Sequence, residues 1–255
     1  MPIELVTIPC LSDNYAYLCH DAETKQTLLI DAPEARPILA ALDRRDWDLN
    51  EIFLTHHHDD HIAGVAEILR NHDAKVTGAA ADRDRLPNLD RAVKEGDTVS
   101  LGAESGTVWD VSGHTVGHIA LYFEASKLVF TADSLMACGC GRLFEGTAEQ
   151  MWASLCKYAQ CPDETLVCSG HEYTLSNVKF AASVDPDNAS LQRRISDTAA
   201  ARASKQPTVP STMGLERATN PFLRPNSSEI RTILGMQTQT DAEVFAEIRR
   251  RKDNF

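Results

Sequence analysis

Basic residues are scarce in this chain: 25 Lys and Arg stand against 37 Asp and Glu, a formal charge of −12 over 255 residues. Nucleic acid and anionic membrane both select the opposite excess, so the composition argues against general affinity for either. No segment approaches the roughly 18 uninterrupted apolar residues of a membrane span. The opening MPIELVTIPCLSDNYAYL has no basic stretch leading into an apolar one. A cytoplasmic protein with no nucleic-acid or membrane partner is expected, and a monomer is the simplest state. The seven cysteines are odd in number and lack CxxC spacing, which fits reduced thiols better than a disulfide framework. Cys138-Gly139-Cys140, the one close pair, reads as a tight turn. No solenoid repeat and no low-complexity stretch is present.

What is present is the material of an ordinary globular chain, 43% hydrophobic and 24% charged. The length suggests one domain with an appendage. IELVTI, NYAYLCH and TLLIDA read as an opening meander. Ile38, Leu39 and Leu42 give helical spacing between Pro33 and Arg45, and the strand EIFLT follows at 51–55. Ile62, Val65, Ala66 and Leu69 then repeat at i, i+3, i+4 and i+7, so a helix is expected to start at or just inside the His-rich segment 56–61. GTVWDVSG, IALYFEA, KLVFTAD and ETLVCSG read as later strands, with a helix at 147–160 opened by Thr147 and Gln150 as a capping box. From about residue 174 only helices are expected. They run from Ser176 to Lys205 with a break at Asp185-Pro186 and, after a loop with Pro207, Pro210 and Pro221, near 227–235 and 240–252.

The strongest chemical signal is Thr55-His56-His57-His58-Asp59-Asp60-His61. If Thr55 to His58 continues the strand, alternation sends His56 and His58 to one side and His57 to the other. A helix starting near Asp60 brings its carboxylate and the His61 imidazole to the same rim. Imidazole nitrogen and carboxylate oxygen together suit zinc, iron or manganese. His57 is read as structural support and Asp59 as an exposed neighbour. His114, Asp133 and His171 each fall where a predicted strand ends, which is where ligand sites of α/β sheets gather. His20 and His72 match no pattern and are read as surface residues.

The pattern HxHxDH, here His56, His58, Asp60 and His61, with His114, Asp133 and His171 further on, resembles the metallo-β-lactamase superfamily. Within it the chain is most similar to the hydroxyacylglutathione hydrolases (glyoxalase II). The resemblance is carried by SGHTVGH at 112–118, CGCGRLFEGT at 138–147, SGHEYT at 169–174, NPFLR at 220–224 and RRRKDNF at 249–255, and so covers essentially the whole chain. It implies an α/β fold, an αββα metallo-β-lactamase sandwich over residues 1–173. A small all-helical substrate-binding domain follows at 174–255.

The resemblance also implies two divalent metal ions, zinc foremost with iron or manganese as alternatives. One is held by His56, His58 and His114 and the other by Asp60, His61 and His171, with Asp133 bridging. His118 is not a ligand in that family and is read as structural support. Two such ions lower the pKa of a shared water toward about 7 and supply hydroxide at neutral pH, with Asp60 helping to orient it. The implied reaction is hydrolysis of S-(2-hydroxyacyl)glutathione thioesters, chiefly S-D-lactoylglutathione to D-lactate and glutathione, in methylglyoxal detoxification. Arg249 and Lys252 are expected to contact the glycine carboxylate of glutathione and Tyr173 to contribute its hydroxyl. Arg142 and Phe144 stand where many members have Lys and Tyr, so charge is kept and a hydroxyl lost. Ala132 stands where Gly is usual before the bridging Asp.

The alternative is a persulfide dioxygenase of the same fold acting on glutathione persulfide, which uses one iron with two His and a carboxylate. The C-terminal helical stretch with NPFLR and RRRKD counts against it. A nuclease of the superfamily would show a basic groove, which this acidic chain lacks.

Overall fold

Three short strands, β1 (Glu4–Cys10), β2 (Asn14–Asp21) and β3 (Gln26–Ile30), pair antiparallel in sequence order. This is the meander expected from the opening residues. The computed structural model describes residues 3–255. The chain divides into two compact units: the described residues up to Val111 with Val116–Ala132, and Ser112–Thr115 with Asp133–Phe255.

In the first unit, β4 (Glu51–Leu54), β5 (Lys75–Ala79) and β6 (Arg91–Val93) extend the meander as parallel neighbours, with Leu29 opposite Ile52 and Ile52 opposite Val76. Parallel neighbours need a crossover. The helix α1 (Ala35–Asp43) supplies the one between β3 and β4, burying Ile38 and Leu42 in the same core as Leu29 and Ile52. A second sheet runs antiparallel through β7 (Thr98–Leu101), β8 (Glu104–Asp110), β9 (Ile119–Phe123) and β10 (Leu128–Ala132). Tyr17 of β2 meets Phe130 of β10 edge-on, ring centroids 5.7 Å apart. Every residue of β2, β9 and β10 is buried, because both faces of these strands are covered.

The helix expected after the His-rich segment is two short ones, α2 (Asp59–Ile62) and α3 (Val65–Ile68). Gly64 separates them. Its N–H donates to the Ala32 carbonyl at 2.8 Å, and a Cβ there would lie 2.9 Å from that oxygen and 2.8 Å from the Ala35 nitrogen. Only glycine lets the two backbones pass this closely. His20 is also corrected: it is 6% exposed, stacked on Trp47 at 4.0 Å.

The second unit holds a small hairpin, β11 (Leu135–Met136) and β12 (Gly139–Cys140), then α4 (Ala148–Lys157) and β13 (Leu166–Ser169). Thr147 and Gln150 form the capping box expected for α4. Cys138-Gly139-Cys140 is thus the end of a hairpin turn and the start of its second arm. The helices α5 (Thr174–Val184) and α6 (Ala189–Ala203) follow, separated at Asp185-Pro186 as expected. The stretch beyond 174 is not purely helical. A two-residue strand, β14 (Ser211–Thr212), pairs antiparallel with β13, and α7 (Met213–Thr219) occupies what reads as a Pro-flanked loop. Helices α8 (Ser228–Leu234) and α9 (Asp241–Asp253) complete the unit. Phe222 sits between Phe180 and Phe245, with centroids 6.0 and 5.8 Å away. Among the described residues, no helix is long and apolar enough to cross a membrane.

Candidate metal centre

Strand β4 ends at Leu54, so Thr55 to His58 lies beyond the ladder. This corrects the expected strand continuation. The segment is fixed instead by Asp31, at the end of β3. Its Oδ1 accepts the Thr55 N–H and its Oδ2 the Thr55 hydroxyl, both at 2.8 Å. The same Oδ2 lies 2.8 Å from His61 Nδ1. An imidazole nitrogen facing a carboxylate carries the proton, which leaves Nε2 of His61 as a lone-pair donor. Asp31 adopts φ 55°, a left-handed conformation that Asp tolerates better than most residues.

His56 and His58 do converge: His56 Nε2 is 3.1 Å from His58 Nδ1. His118 is fully buried and stacks on His56, centroids 4.6 Å apart. His57 turns the other way, its Nδ1 2.9 Å from the buried Asp82 carboxylate, which Arg85 also holds. Asp59 is exposed. The Asp60 carboxylate accepts from Asn14 Nδ2 at 3.1 Å, and the same amide donates to the Asp60 carbonyl at 2.9 Å.

In the second unit, His114 Nδ1 is 2.8 Å from the Arg142 carbonyl oxygen. A carbonyl only accepts, so Nδ1 bears the proton and Nε2 of neutral His114 presents a lone pair. That Nε2 faces Asp133 Oδ2 at 3.5 Å, and His171 Nε2 faces the same oxygen at 3.3 Å. All three residues are at most 5% exposed. In this neutral tautomer the His114 Nε2 lone pair and the Asp133 oxygen repel one another unless a cation lies between them. Buried, oriented nitrogen and oxygen donors of this kind fit a divalent metal ion. Gly141 is required for the arrangement, since a Cβ there would lie 2.1 Å from the Asp133 carbonyl oxygen and 2.8 Å from His114 Nδ1.

The expected substrate contacts differ among themselves. Tyr173 is 40% exposed and stacks on His171 at 4.7 Å, and Phe144 is 61% exposed with its ring edge-on to His114. The Arg142 side chain is open to solvent, with Nε 3.5 Å from Asp253. Lys252 is half-buried over the rings of Phe180 and Phe255, and burial followed by the nearby Arg249 charge pushes its ammonium below the usual lysine range. Arg249 is 5% exposed. Its Nη1 donates to the Cys140 carbonyl at 3.0 Å, while Nε and Nη2 donate to Asp253.

Sequence reasoning missed Asp31, Asn14 and Asp82. Asp31 carried a usable signal, an acidic residue closing the strand TLLIDA. Asn14 and Asp82 carried none.

The two sheets and donor sets define a class. The family model described as metallo-beta-lactamase superfamily matches residues 18–171, so the chain is of that superfamily. The crystal structure of the BLEG-1 B3 metallo-beta-lactamase has the same fold, with a TM-score of 0.67 and 20% identity over 87% of this chain and 100% of that one. The structure of TTHA1623 in a di-iron-bound form matches with a TM-score of 0.56 and 29% identity, over 66% of this chain and 91% of that one. Residues 172–255 match the model described as hydroxyacylglutathione hydrolase C-terminus. A hydroxyacylglutathione hydrolase of Ruegeria pomeroyi is 61% identical over 255 residues, 100% of both chains. The chain therefore belongs to the hydroxyacylglutathione hydrolase family.

Proposed function

We propose that this enzyme hydrolyses S-(2-hydroxyacyl)glutathione thioesters, S-D-lactoylglutathione foremost, releasing the 2-hydroxy acid and glutathione. The observation that carries the metal assignment is the single Asp133 oxygen facing both His114 Nε2 and His171 Nε2, as a carboxylate shared by two ions would. In this reading His56, His58 and His114 hold one divalent ion and Asp60, His61 and His171 the other, with zinc the first candidate. The di-iron form of TTHA1623 supports the number of ions. Residues 1–173 are assigned to catalysis and 174–255 to substrate binding. The two family-model matches, which meet at residues 171 and 172, support that boundary.

Divalent ions bound there supply acidified water and a Lewis acid for the thioester carbonyl. The protein's own groups do the rest. Asp60, steadied by Asn14, orients the water. Asp31 keeps the His61 ring and its tautomer fixed. Water adds its oxygen to the acyl carbon, the carbon–sulfur bond breaks with its electron pair on sulfur, and one proton is released. The leaving thiol has a pKa near 8.5, so it departs as thiolate without a dedicated general acid. Arg142 and Lys252 are the cations for the glutathione carboxylates, and Tyr173 offers its hydroxyl. Arg249, with its N–H groups directed at Cys140 and Asp253, supports them from behind.

The test is loss of thioester absorbance from S-lactoylglutathione with metal-replete and chelated protein. Turnover that disappears with chelator and returns with zinc is expected. Metal-independent hydrolysis, or one iron with oxygen uptake from a persulfide, would overturn the assignment.

A further inference from the structure

The hairpin β11–β12 lies between Asp133 and Arg142, and it is too short to hold its own shape. Two-residue arms form almost no ladder, and an isolated hairpin is marginal in water even at full length. Its turn also carries a left-handed residue that is not glycine, Cys138 at φ 56°. Yet its ends bear the most demanding geometry of the second unit. Asp133 lies two positions before its first residue, and Arg142, whose carbonyl fixes the His114 tautomer, two positions after its last.

The polar backbone of this hairpin is satisfied by buried side chains from the C-terminal helices. Asn177 of α5 donates to the Ala137 carbonyl at 3.0 Å. Asn220, the first residue of NPFLR, donates to the Met136 and Gly139 carbonyls at 3.2 and 2.9 Å. Glu216 of α7 accepts the Cys138 N–H at 2.7 Å, and Arg249 of α9 reaches the Cys140 carbonyl. Glu216 is in turn held by Arg194 of α6, by Ser211 and by Asn220. Glu216 and Asn220 are 0% exposed. The hairpin also fits closely against this frame, since a Cβ on Gly139 would lie 2.5 Å from Asn177 Nδ2. A convergence of buried groups from separate helices on one six-residue hairpin exceeds what anchoring a surface turn requires.

We propose that the C-terminal helices serve the reaction by bracing this hairpin, with Asn220 and Asn177 as positioning residues for Asp133 and His114. The proposal rests on reading those two residues as metal ligands. It gives the NPFLR segment a role in the metal centre through the backbone it holds. Truncating Asn220 frees the Met136 and Gly139 carbonyls and lets the hairpin shift, which displaces the Asp133 carboxylate and the Arg142 carbonyl. Outer partners of metal ligands typically change affinity by 10–100-fold.

The experiment uses the full chain with Asn220→Ala, Asn177→Ala and His114→Ala. It measures zinc affinity by chelator competition, kcat and KM separately, and thermal unfolding. His114→Ala reads the ligand assignment itself and should weaken zinc by more than the brace variants do. Asn220→Ala should weaken zinc and lower kcat by about tenfold with KM within about twofold, and Asn177→Ala should do the same to a smaller degree. Asn177 loses one hairpin bond and keeps the proposal testable if Asn220→Ala does not fold. Wild-type zinc affinity and kcat in folded brace variants, with only the melting temperature lowered, would overturn the bracing role alone. An unchanged affinity in His114→Ala would overturn the ligand reading and the proposal together.

Discussion

The donor groups of the first unit and those of the second are held in different ways. His56, His58, Asp60 and His61 fall within six consecutive residues, and the local chain orients them with help from Asp31 beneath Thr55 and His61 and from Asn14 beside Asp60. His114, Asp133 and His171 are scattered over 58 residues, and the hairpin that follows Asp133 is held by side chains still further along, such as Glu216 and Asn220. Contiguous donors inherit their geometry from backbone continuity. Dispersed donors need the tertiary fold, and the added helices of this family supply it.

The comparison can be broken first at the donors themselves. His58→Ala should abolish metal-dependent turnover, and assay of S-lactoylglutathione hydrolysis at saturating zinc would show it. Activity within tenfold of the parent would remove His58 from the site. The next effect lies in the second unit: Glu216→Ala leaves Arg194, 5% exposed, without its carboxylate. A loss of about 3–5 kcal/mol in urea unfolding is expected. Below about 1 kcal/mol, the Glu216 hub would be dispensable.

Asp31→Asn tests the carboxylate that anchors the first unit's cluster. An amide oxygen can keep the Thr55 hydroxyl and His61, but its NH2 then faces the Thr55 N–H and cannot accept it. Zinc affinity should fall about 10–100-fold, read by chelator competition, whereas an unchanged affinity would show the local chain suffices alone. A smaller change sharpens the approach to Asp133. Ala132 sits at φ 41°, where a β-carbon costs about 1 kcal/mol. Ala132→Gly should raise stability by up to that amount in denaturant titration, and a destabilised variant would count against strain there.

The smallest effect is at the surface of α9. Hydrogen bonding from Arg250, then from Arg251, depresses the Glu247 carboxyl from 4.5 to about 2. A depressed carboxyl stabilises the folded state above its ordinary pKa, and the contribution is lost as pH falls from about 4.5 through about 2. Solvent screening keeps it under about 1 kcal/mol. Glu247→Gln should therefore be slightly less stable at pH 7 and equal to the parent near pH 2. A difference that persists in acid would point to packing.

Much of this was legible in the sequence. The meander followed from alternation, and the capping box at Thr147 from two residue types three apart. The HxHxDH cluster announced metal because so many imidazoles rarely fall together in a folded segment. His20 was misjudged because its partner Trp47 is 27 residues away, and burial by a distant ring leaves no local trace. The helix after the cluster was read as continuous because the close pass of Gly64 against Ala32 is a contact between remote backbones. α7 was missed because a seven-residue helix between prolines has little periodicity to show.

The sequence alone determined the kind of chemistry, because ligand type and spacing are properties of residues in order along a strand end. It also determined the family, through motifs spread from SGHTVGH to RRRKDNF. Tertiary structure decided the rest. It set which imidazole nitrogen bears the proton, placed Asp31 beneath the cluster, and turned Arg249 and Asn220 toward the hairpin between Asp133 and Arg142. Those facts depend on which distant carbonyl or carboxylate a buried group meets, and only the folded chain brings them within hydrogen-bonding reach.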